Sequence, residues 1–167
     1  MGSMQWRRLA TVMVLMAILA IFSGCVGKKK LTQEEEEFWA HVMKSSEYIE
    51  QRTKLWEEAK EANNRGDYDK AEQLFKKMVE YDKSAIKEVE IAINITDNPK
   101  LKNWAEYMKK SAEYGMLADQ KLVEMVQHSK KGDESLAEIA LREHNEYAKK
   151  AKEMLKKAKE LERRGLR

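Results

Sequence analysis

The chain contains one cysteine, one proline and only seven glycines in 167 residues. A lone cysteine excludes an intrachain disulfide and any site that needs two thiolates, such as a Cys-x-x-Cys metal or haem motif. Scarce proline and glycine leave few positions at which a helix must end. The sequence therefore predicts long helices that are stabilised by an apolar core and not by crosslinks.

Histidine is scarce as well. Di-iron four-helix bundles carry Glu-x-x-His on two of their helices, but the positions three residues before the histidines of this chain hold apolar side chains: Phe38 before His41, Met125 before His128 and Leu141 before His144. The Gly-x-Ser-x-Gly motif of serine hydrolases and glycine-rich phosphate loops are absent too. We therefore expect a protein that is not an enzyme and that binds neither a metal nor a cofactor.

The charge of the chain is nearly balanced. Two of the 32 basic residues lie in the first 24 positions, which leaves 30 basic against 29 acidic residues downstream. A balanced surface gives little electrostatic steering toward nucleic acid, so nucleic acid is not an expected partner. Three consecutive lysines at 28–30 form a local cluster that either binds anionic lipid or is simply solvated.

The amino-terminal segment is typical of an export signal. Arg7 and Arg8 precede 14 uncharged residues at 9–22, and Ser-Gly-Cys follows at 23–25. A Ser-Gly-Cys sequence after an apolar run resembles the lipobox of prokaryotic lipoproteins, and the longer Ser-Gly-Cys-Val-Gly is similar to lipoproteins of archaea. The resemblance implies cleavage after residue 24, lipidation of Cys25 and attachment to the extracytoplasmic face of the cell membrane.

An uncleaved membrane anchor is the alternative interpretation of this segment. Residues 9–26 give 18 uncharged positions, which is just within the length that can span a bilayer. Both interpretations leave the remainder outside the cytoplasm, since positive residues stay inside. If the chain is a lipoprotein, residues 1–24 form the signal peptide, residues 25–31 the lipidated tether and residues 32–167 a single helical domain.

Helix-breaking residues divide this domain into four segments. Gly66-Asp67 and Gly132-Asp133 each predict the end of one helix and the N-cap of the next, and Pro99 predicts a helix start. Apolar or small residues recur at steps of three and four; in the third segment they are Leu101, Trp104, Met108, Ser111, Gly115, Ala118, Leu122, Met125 and Ser129. This heptad pattern predicts an all-α fold, an up-down-up-down four-helix bundle.

The two halves of the domain also form an internal repeat. A shift of 66 residues aligns 38–92 with 104–158 without a gap, and 14 of the 55 positions are identical, including both Gly-Asp pairs. The pattern predicts two duplicated long helical hairpins. We expect the hairpins to pack about a pseudo-twofold axis, with the repeated pairs Tyr48/Tyr114 and Tyr81/Tyr147 facing each other across it.

The first hairpin turn carries a local resemblance. The segment from Ala62 through Gly66-Asp67-Tyr68 to Ala71 is similar to the turn between the two helices of a tetratricopeptide repeat. This resemblance covers some 20 residues and implies a close approach of the two helices at the turn.

Four residues are candidates for a ligand pocket. Ser111, Gly115 and Ala118 give the third segment a narrow stripe that either admits a neighbouring helix closely or leaves a groove. If a groove exists, Arg52 is a candidate contact for an anionic ligand. Asn94 begins an Asn-Ile-Thr sequon and is a candidate N-glycosylation site.

These observations favour a non-catalytic interaction or scaffold module, held at the membrane through lipid on Cys25. Its partner is an unidentified protein or a second copy of the chain. The alternative is a small-ligand or solute-sensing bundle that uses the candidate pocket.

Overall fold

The computed structural model describes residues 31–166. They form four helices, α1 (Gln33–Asn64), α2 (Tyr68–Ile95), α3 (Pro99–Lys131) and α4 (Glu134–Arg163). No strand occurs in this range. Helices that follow one another in the chain pack along each other. The prediction of an all-α four-helix bundle built from two long hairpins is confirmed. The predicted signal peptide, Cys25 and all of the predicted tether except Leu31 lie outside the described residues.

Side-chain caps fix where the helices begin. Thr32 and Glu35 form a capping box at the start of α1, in which the Glu35 amide donates to the Thr32 hydroxyl at 3.2 Å and the Thr32 amide donates to the Glu35 carboxylate at 3.0 Å. At the start of α3, Asn98 Oδ1 accepts from the amides of Lys100 and Leu101, and Pro99 takes the first helical position. These contacts satisfy amides that have no partner within their helix.

The two hairpin turns have the same backbone geometry. Gly66 and Gly132 are both left-handed, with φ of 76° and 77°. In each turn the aspartate after the glycine donates its amide to the carbonyl oxygen five residues earlier, Asp67 to Ala62 and Asp133 to His128, both at 3.0 Å. This is the Schellman motif, and glycine suits it because it has no Cβ to clash in the left-handed region. The repeat is therefore expressed in backbone geometry as well as in sequence.

Replacing Gly132 with alanine is expected to destabilise the domain by about 1–2 kcal/mol, because the left-handed conformation is costly for a residue with a Cβ. The matched control is Gly115→Ala, since Gly115 lies inside α3 and a Cβ there would meet nothing within 4 Å. That change is expected to stabilise the domain by up to about 1 kcal/mol, the helix propensity gained. Urea unfolding measures the free energy of unfolding of both variants. A change of the same sign in Gly132→Ala and Gly115→Ala would contradict this prediction.

The apolar core consists of two clusters along the bundle. One lies where α1 begins and α4 ends, and it joins Phe38, Trp39, Trp104 and Leu166. The other lies beside the two Gly-Asp turns and includes Phe75, Met78 and Leu122. The tryptophans 39 and 104 pack together with ring centroids 5.5 Å apart, as expected for core positions. Polar and charged side chains occupy the space between the clusters.

The repeated tyrosines pair within the hairpins. Tyr48 lies against Tyr81 in the first hairpin and Tyr114 against Tyr147 in the second, each with ring centroids 6.4 Å apart. The expectation that they face each other across a pseudo-twofold axis is wrong. Such an axis would also make α4 pack on α1 as α2 packs on α3, yet among the described helices α1 and α4 do not pack closely along their length. The two hairpins therefore have similar internal contacts, but a pseudo-twofold axis does not relate one hairpin to the other.

Candidate functional site

The middle of the bundle contains a cluster of three ionisable side chains, half-buried Arg52 of α1 with buried Asp82 of α2 and buried Asp119 of α3. Arg52 donates two hydrogen bonds to Asp119, from Nε to Oδ2 at 2.8 Å and from Nη2 to Oδ1 at 2.7 Å. Its Nε also lies 3.4 Å from Oδ1 of Asp82. Asp82 and Asp119 are 1% and 0% exposed. The guanidinium therefore joins three helices at one level of the bundle, and we call these residues the charged triad.

The triad has two carboxylates for one guanidinium. Burial raises the pKa of Asp82 to about 8, the charge of Asp119 adds to this rise, and Arg52 only partly offsets it. Burial also opposes the charge of Arg52, but the two carboxylates outweigh that effect and hold its pKa above the ordinary value. Near neutral pH the arrangement therefore favours a charged Arg52 with Asp82 protonated.

One oxygen of the triad has no hydrogen-bond partner among the described residues. It is the buried Oδ2 of Asp82, whereas both oxygens of Asp119 accept from Arg52. An unpartnered oxygen is costly to bury, and far more so when it carries charge. This asymmetry is a geometric reason why Asp82 is the carboxylate that keeps a proton.

An aromatic contact next to Arg52 joins α1 to α4. Trp56 lies one turn after Arg52 on α1 and stacks on the His144 ring of α4, with centroids 6.1 Å apart and an interplanar angle of 11°. His144 is buried, and its Nδ1–H donates to the carbonyl oxygen of Ala118 at 2.9 Å. The hydrogen bond fixes the tautomer of the ring. His144 is thus a core histidine that links α4 to α3 beside the triad.

A second charged contact lies between α1 and α2, nearer the start of α1. The Glu88 carboxylate accepts from His41 Nδ1 and from Lys44 Nζ, both at 2.7 Å. Burial works to raise the pKa of Glu88, but the hydrogen bonds and charges of Lys44 and His41 outweigh it and hold the pKa below its usual value. Glu88 is therefore a structural anion in the folded protein.

The four candidate pocket residues lie near the triad but make different contacts. Arg52 is bound to Asp119, and its side chain is 24% exposed. Ser111 donates its hydroxyl to the carbonyl oxygen of Ala151 on α4 at 2.9 Å, so α4 approaches α3 at this end of the stripe. Ala118 meets α4 through His144. Between them Gly115 is half-buried, with open space where its side chain would be.

The stripe thus contacts α4 through Ser111 and Ala118, and a Cβ added at Gly115 would meet nothing within 4 Å. The ligand pocket stays a prediction. Asn94 of the candidate sequon is exposed in the last turn of α2, as glycosylation requires, and its modification also stays a prediction.

A separate cleft of about 250 Å³ lies at the end of the bundle where α3 begins and α4 ends. Its walls include Pro99, Asn103, Leu161 and Arg164. Within residues 31–166, no group of three or more His, Cys, Asp or Glu side chains has the arrangement of a metal site. No helix in the described range is long and apolar enough to cross a bilayer.

Two charged residues of the interior were not singled out in the sequence. Asp119 follows Ala118 of the heptad stripe directly, and Glu88 precedes Val89 in the same way. The sequence feature that could reveal such residues is an acidic residue next to a core position of one helix. A basic residue must then face it from the helix packed alongside. That signal depends on how the helices are rotated against each other, which the heptads do not specify.

Comparison with protein-family models, with curated proteins and with solved structures finds no match to this chain. Its function has to be inferred from its own residues.

Proposed function

We propose that the chain is a membrane-anchored extracytoplasmic lipoprotein whose helical domain is a non-catalytic interaction module. The observation that carries the proposal is the Ser-Gly-Cys sequence at 23–25 after an apolar run, seven residues before the capped start of α1 at Thr32. Seven extended residues reach at most about 25 Å. Lipid on Cys25 would hold the domain close to the bilayer, and its partners would be those found there.

The buried acidic side chains pair with basic side chains of the same domain, which supports a structural role for them over a catalytic one. The two carboxylates of the triad are almost completely buried, and Asp119 is bound by Arg52 in a bidentate contact. Glu88 is likewise bound by His41 and Lys44. A general acid or base must reach the proton that it transfers, and these groups instead contact one another.

The anchor is tested by the intact mass of the protein extracted from membranes of a prokaryotic host. We expect a chain that begins at Cys25 and carries lipid. The Cys25→Ser variant lacks the thiol to which the lipid attaches, so it should carry no lipid and keep residues 1–24. A wild-type mass that includes residues 1–24 would contradict the proposal and favour the uncleaved anchor.

A small-ligand sensing bundle is the second candidate function, favoured by the open space at half-buried Gly115. A ligand that binds there raises the thermal midpoint of the domain in proportion to its occupancy. Gly115→Leu fills the space and should abolish that rise, while a ligand at the cleft beside Arg164 is unaffected. Light scattering separates an unidentified protein partner from a second copy of the chain.

A further inference from the structure

The C-terminal half of α4 concentrates the positive charge of the domain. Residues 149–164 contain eight basic and three acidic side chains, a net charge of +5, whereas the entire chain has a net charge of +3. The rest of the protein is therefore slightly acidic, and the charge distribution is strongly asymmetric.

Five of these basic residues form one line along the helix, which we call the basic stripe. They recur at steps of three and four, so they lie on one face: Lys149, Lys152, Lys156, Lys159 and Arg163. Four are exposed and Lys159 is half-buried. In the described part of the chain, Lys156 alone of the five has a carboxylate within reach, Glu160 at 4.0 Å.

The lysines of α2 provide a contrast. Lys70, Lys76 and Lys83 each lie 2.7–2.8 Å from a carboxylate oxygen, of Glu58, Glu72 and Glu80 respectively. Exposed lysines on α2 are thus often paired with acids, whereas within residues 31–166 the basic stripe has only the 4.0 Å contact of Lys156 with Glu160. Its charge is available to an anionic surface.

The helix dipole does not account for the stripe. Basic residues favour the C-terminal end of a helix, but the effect falls off within the last turn. Only Arg163 lies in the last turn of α4. The other four positions extend the charge over about 20 Å toward the middle of the helix.

The chain enters the bundle beside the end of this stripe. Leu31 packs against the apolar cluster that contains Leu166, with Leu161 of α4 packed on the same cluster. Cys25 precedes Leu31 by six residues, a reach of about 20 Å. A lipid on Cys25 therefore places the bilayer within reach of the C-terminal end of α4.

We propose that the basic stripe docks on the anionic headgroups of the membrane that holds Cys25, so that the bundle lies on the bilayer along α4 and does not stand on its end. The inference rests on the proposed lipid anchor. Clustered lysines and arginines near an anionic bilayer are each attracted to it, and salt screens the attraction within a Debye length. The lipid on Cys25 keeps the domain near the bilayer, and the basic stripe orients α4 along the bilayer surface.

The test measures the distance of one position on α4 from the bilayer in the lipidated, full-length protein. Lys149→Cys places a thiol at the middle of α4, where a fluorophore is attached, and the acceptor is carried by lipid headgroups. The matched control is Lys83→Cys, which is the equivalent position in the sequence repeat and is also exposed. Lys83 lies on α2, which packs on α3 and not closely on α4.

On vesicles that contain phosphatidylglycerol, energy transfer from position 149 should exceed that from position 83 about twofold or more. On phosphatidylcholine alone, or at about 1 M salt, where the Debye length falls to about 3 Å, the difference should vanish. Equal transfer from both positions on anionic vesicles would overturn the proposal. A difference that persists on neutral vesicles would overturn it too, since it would indicate a contact other than charge.

Two quadruple variants isolate the stripe from total charge. Replacing Lys152, Lys156, Lys159 and Arg163 with glutamine should abolish the excess transfer from position 149. Replacing four exposed lysines of α2 with glutamine, Lys70, Lys76, Lys77 and Lys87, removes the same charge and should leave it. An equal loss in both variants would contradict the role of the stripe.

Failure of the anchor is visible separately. If Cys25 is not lipidated, each labelled variant carries two fluorophores by mass. It then either fails to float with phosphatidylcholine vesicles or, if the uncleaved anchor holds it, floats with a mass that still includes residues 1–24. If the anchor is present and the stripe has no role, the protein carries one fluorophore and floats, but positions 149 and 83 do not differ.

Discussion

Replacing Arg52 with methionine is expected to destabilise the helical domain by about 3–5 kcal/mol. The loss is large because the guanidinium is the only cation bound to Asp119 in the described residues, and the Asp119 side chain is completely buried. Methionine keeps most of the apolar length of the side chain but leaves a buried carboxylate without its two hydrogen bonds. A buried charge without a partner is among the few defects that cost this much in a single substitution.

Urea unfolding followed by circular dichroism measures this effect. The matched control is Arg65→Met, because Arg65 is exposed and pairs with Glu61 of its own helix at 3.3 Å. An exposed pair of this kind contributes within about 1 kcal/mol. Arg52→Met within 1 kcal/mol of wild type would show that Asp119 is accommodated without Arg52, and the triad would then have no structural role.

Replacing all three ionisable side chains of the triad together gives a second test of the same geometry. In the triple variant Arg52→Met, Asp82→Val, Asp119→Val, no charge is left unpaired, and apolar groups of similar volume fill the layer. Such replacements are often neutral or stabilising. We expect the triple variant to recover most of the stability that Arg52→Met loses. Losses that simply add would place the cost in packing and not in the uncompensated charge.

The fold could be predicted from the sequence because the residues that end or begin each helix act locally. Gly66 and Gly132 stop helices by a backbone conformation that glycine tolerates best, and Pro99 can only begin one. As predicted, α3 begins at Pro99 and ends directly before Gly132, and α1 ends two residues before Gly66. Heptads between such breakers leave few alternatives to a bundle.

The charged triad was only partly predictable, because it depends on long-range rotation of the helices. Asp82 lies at the apolar spacing of α2, four residues after Met78 and three before Ala85, but this spacing leaves open whether Asp82 is buried with a partner or turned outward without one. The sequence predicts Arg52 only as a contact for an anionic ligand, whereas in the structure it binds Asp119 and lies beside Asp82. Asp119 is 67 positions from Arg52, and nothing local in α3 distinguishes it from the solvated acids around it.

The same limit explains the wrong expectation for the tyrosines. Sequence identity between the hairpins predicts that each hairpin has the same internal contacts, and it does, down to the 6.4 Å separation of the rings. It does not specify how one hairpin packs on the other. That packing depends on large side chains between the hairpins, such as Trp104, which contacts Phe38 and Trp39 of α1.

The stability of the domain is expected to fall as the pH rises from about 4 to about 8, and Asp82→Asn should remove this dependence. Asp82 keeps its proton in the folded state up to a pKa of about 8, whereas in the unfolded chain it releases the proton near the ordinary value of 3.8. Between these values the folded state binds one more proton than the unfolded state. Its contribution is therefore complete below pH 3.8 and lost as the pH rises through 8.

The measurement is the free energy of unfolding from pH 5 to pH 9, for which one proton gives a slope of at most about −1.4 kcal/mol per pH unit. Asp133→Asn is the matched control, because Asp133 is exposed and makes no side-chain cap bond; it should keep the wild-type slope. Glu72, with a pKa lowered to about 2, and Glu88 act in the opposite direction and at lower pH, since they stabilise the fold when ionised. The difference between wild type and Asp82→Asn across this window therefore belongs to the triad, and parallel curves for the two proteins would mean that Asp82 is ionised in the folded state.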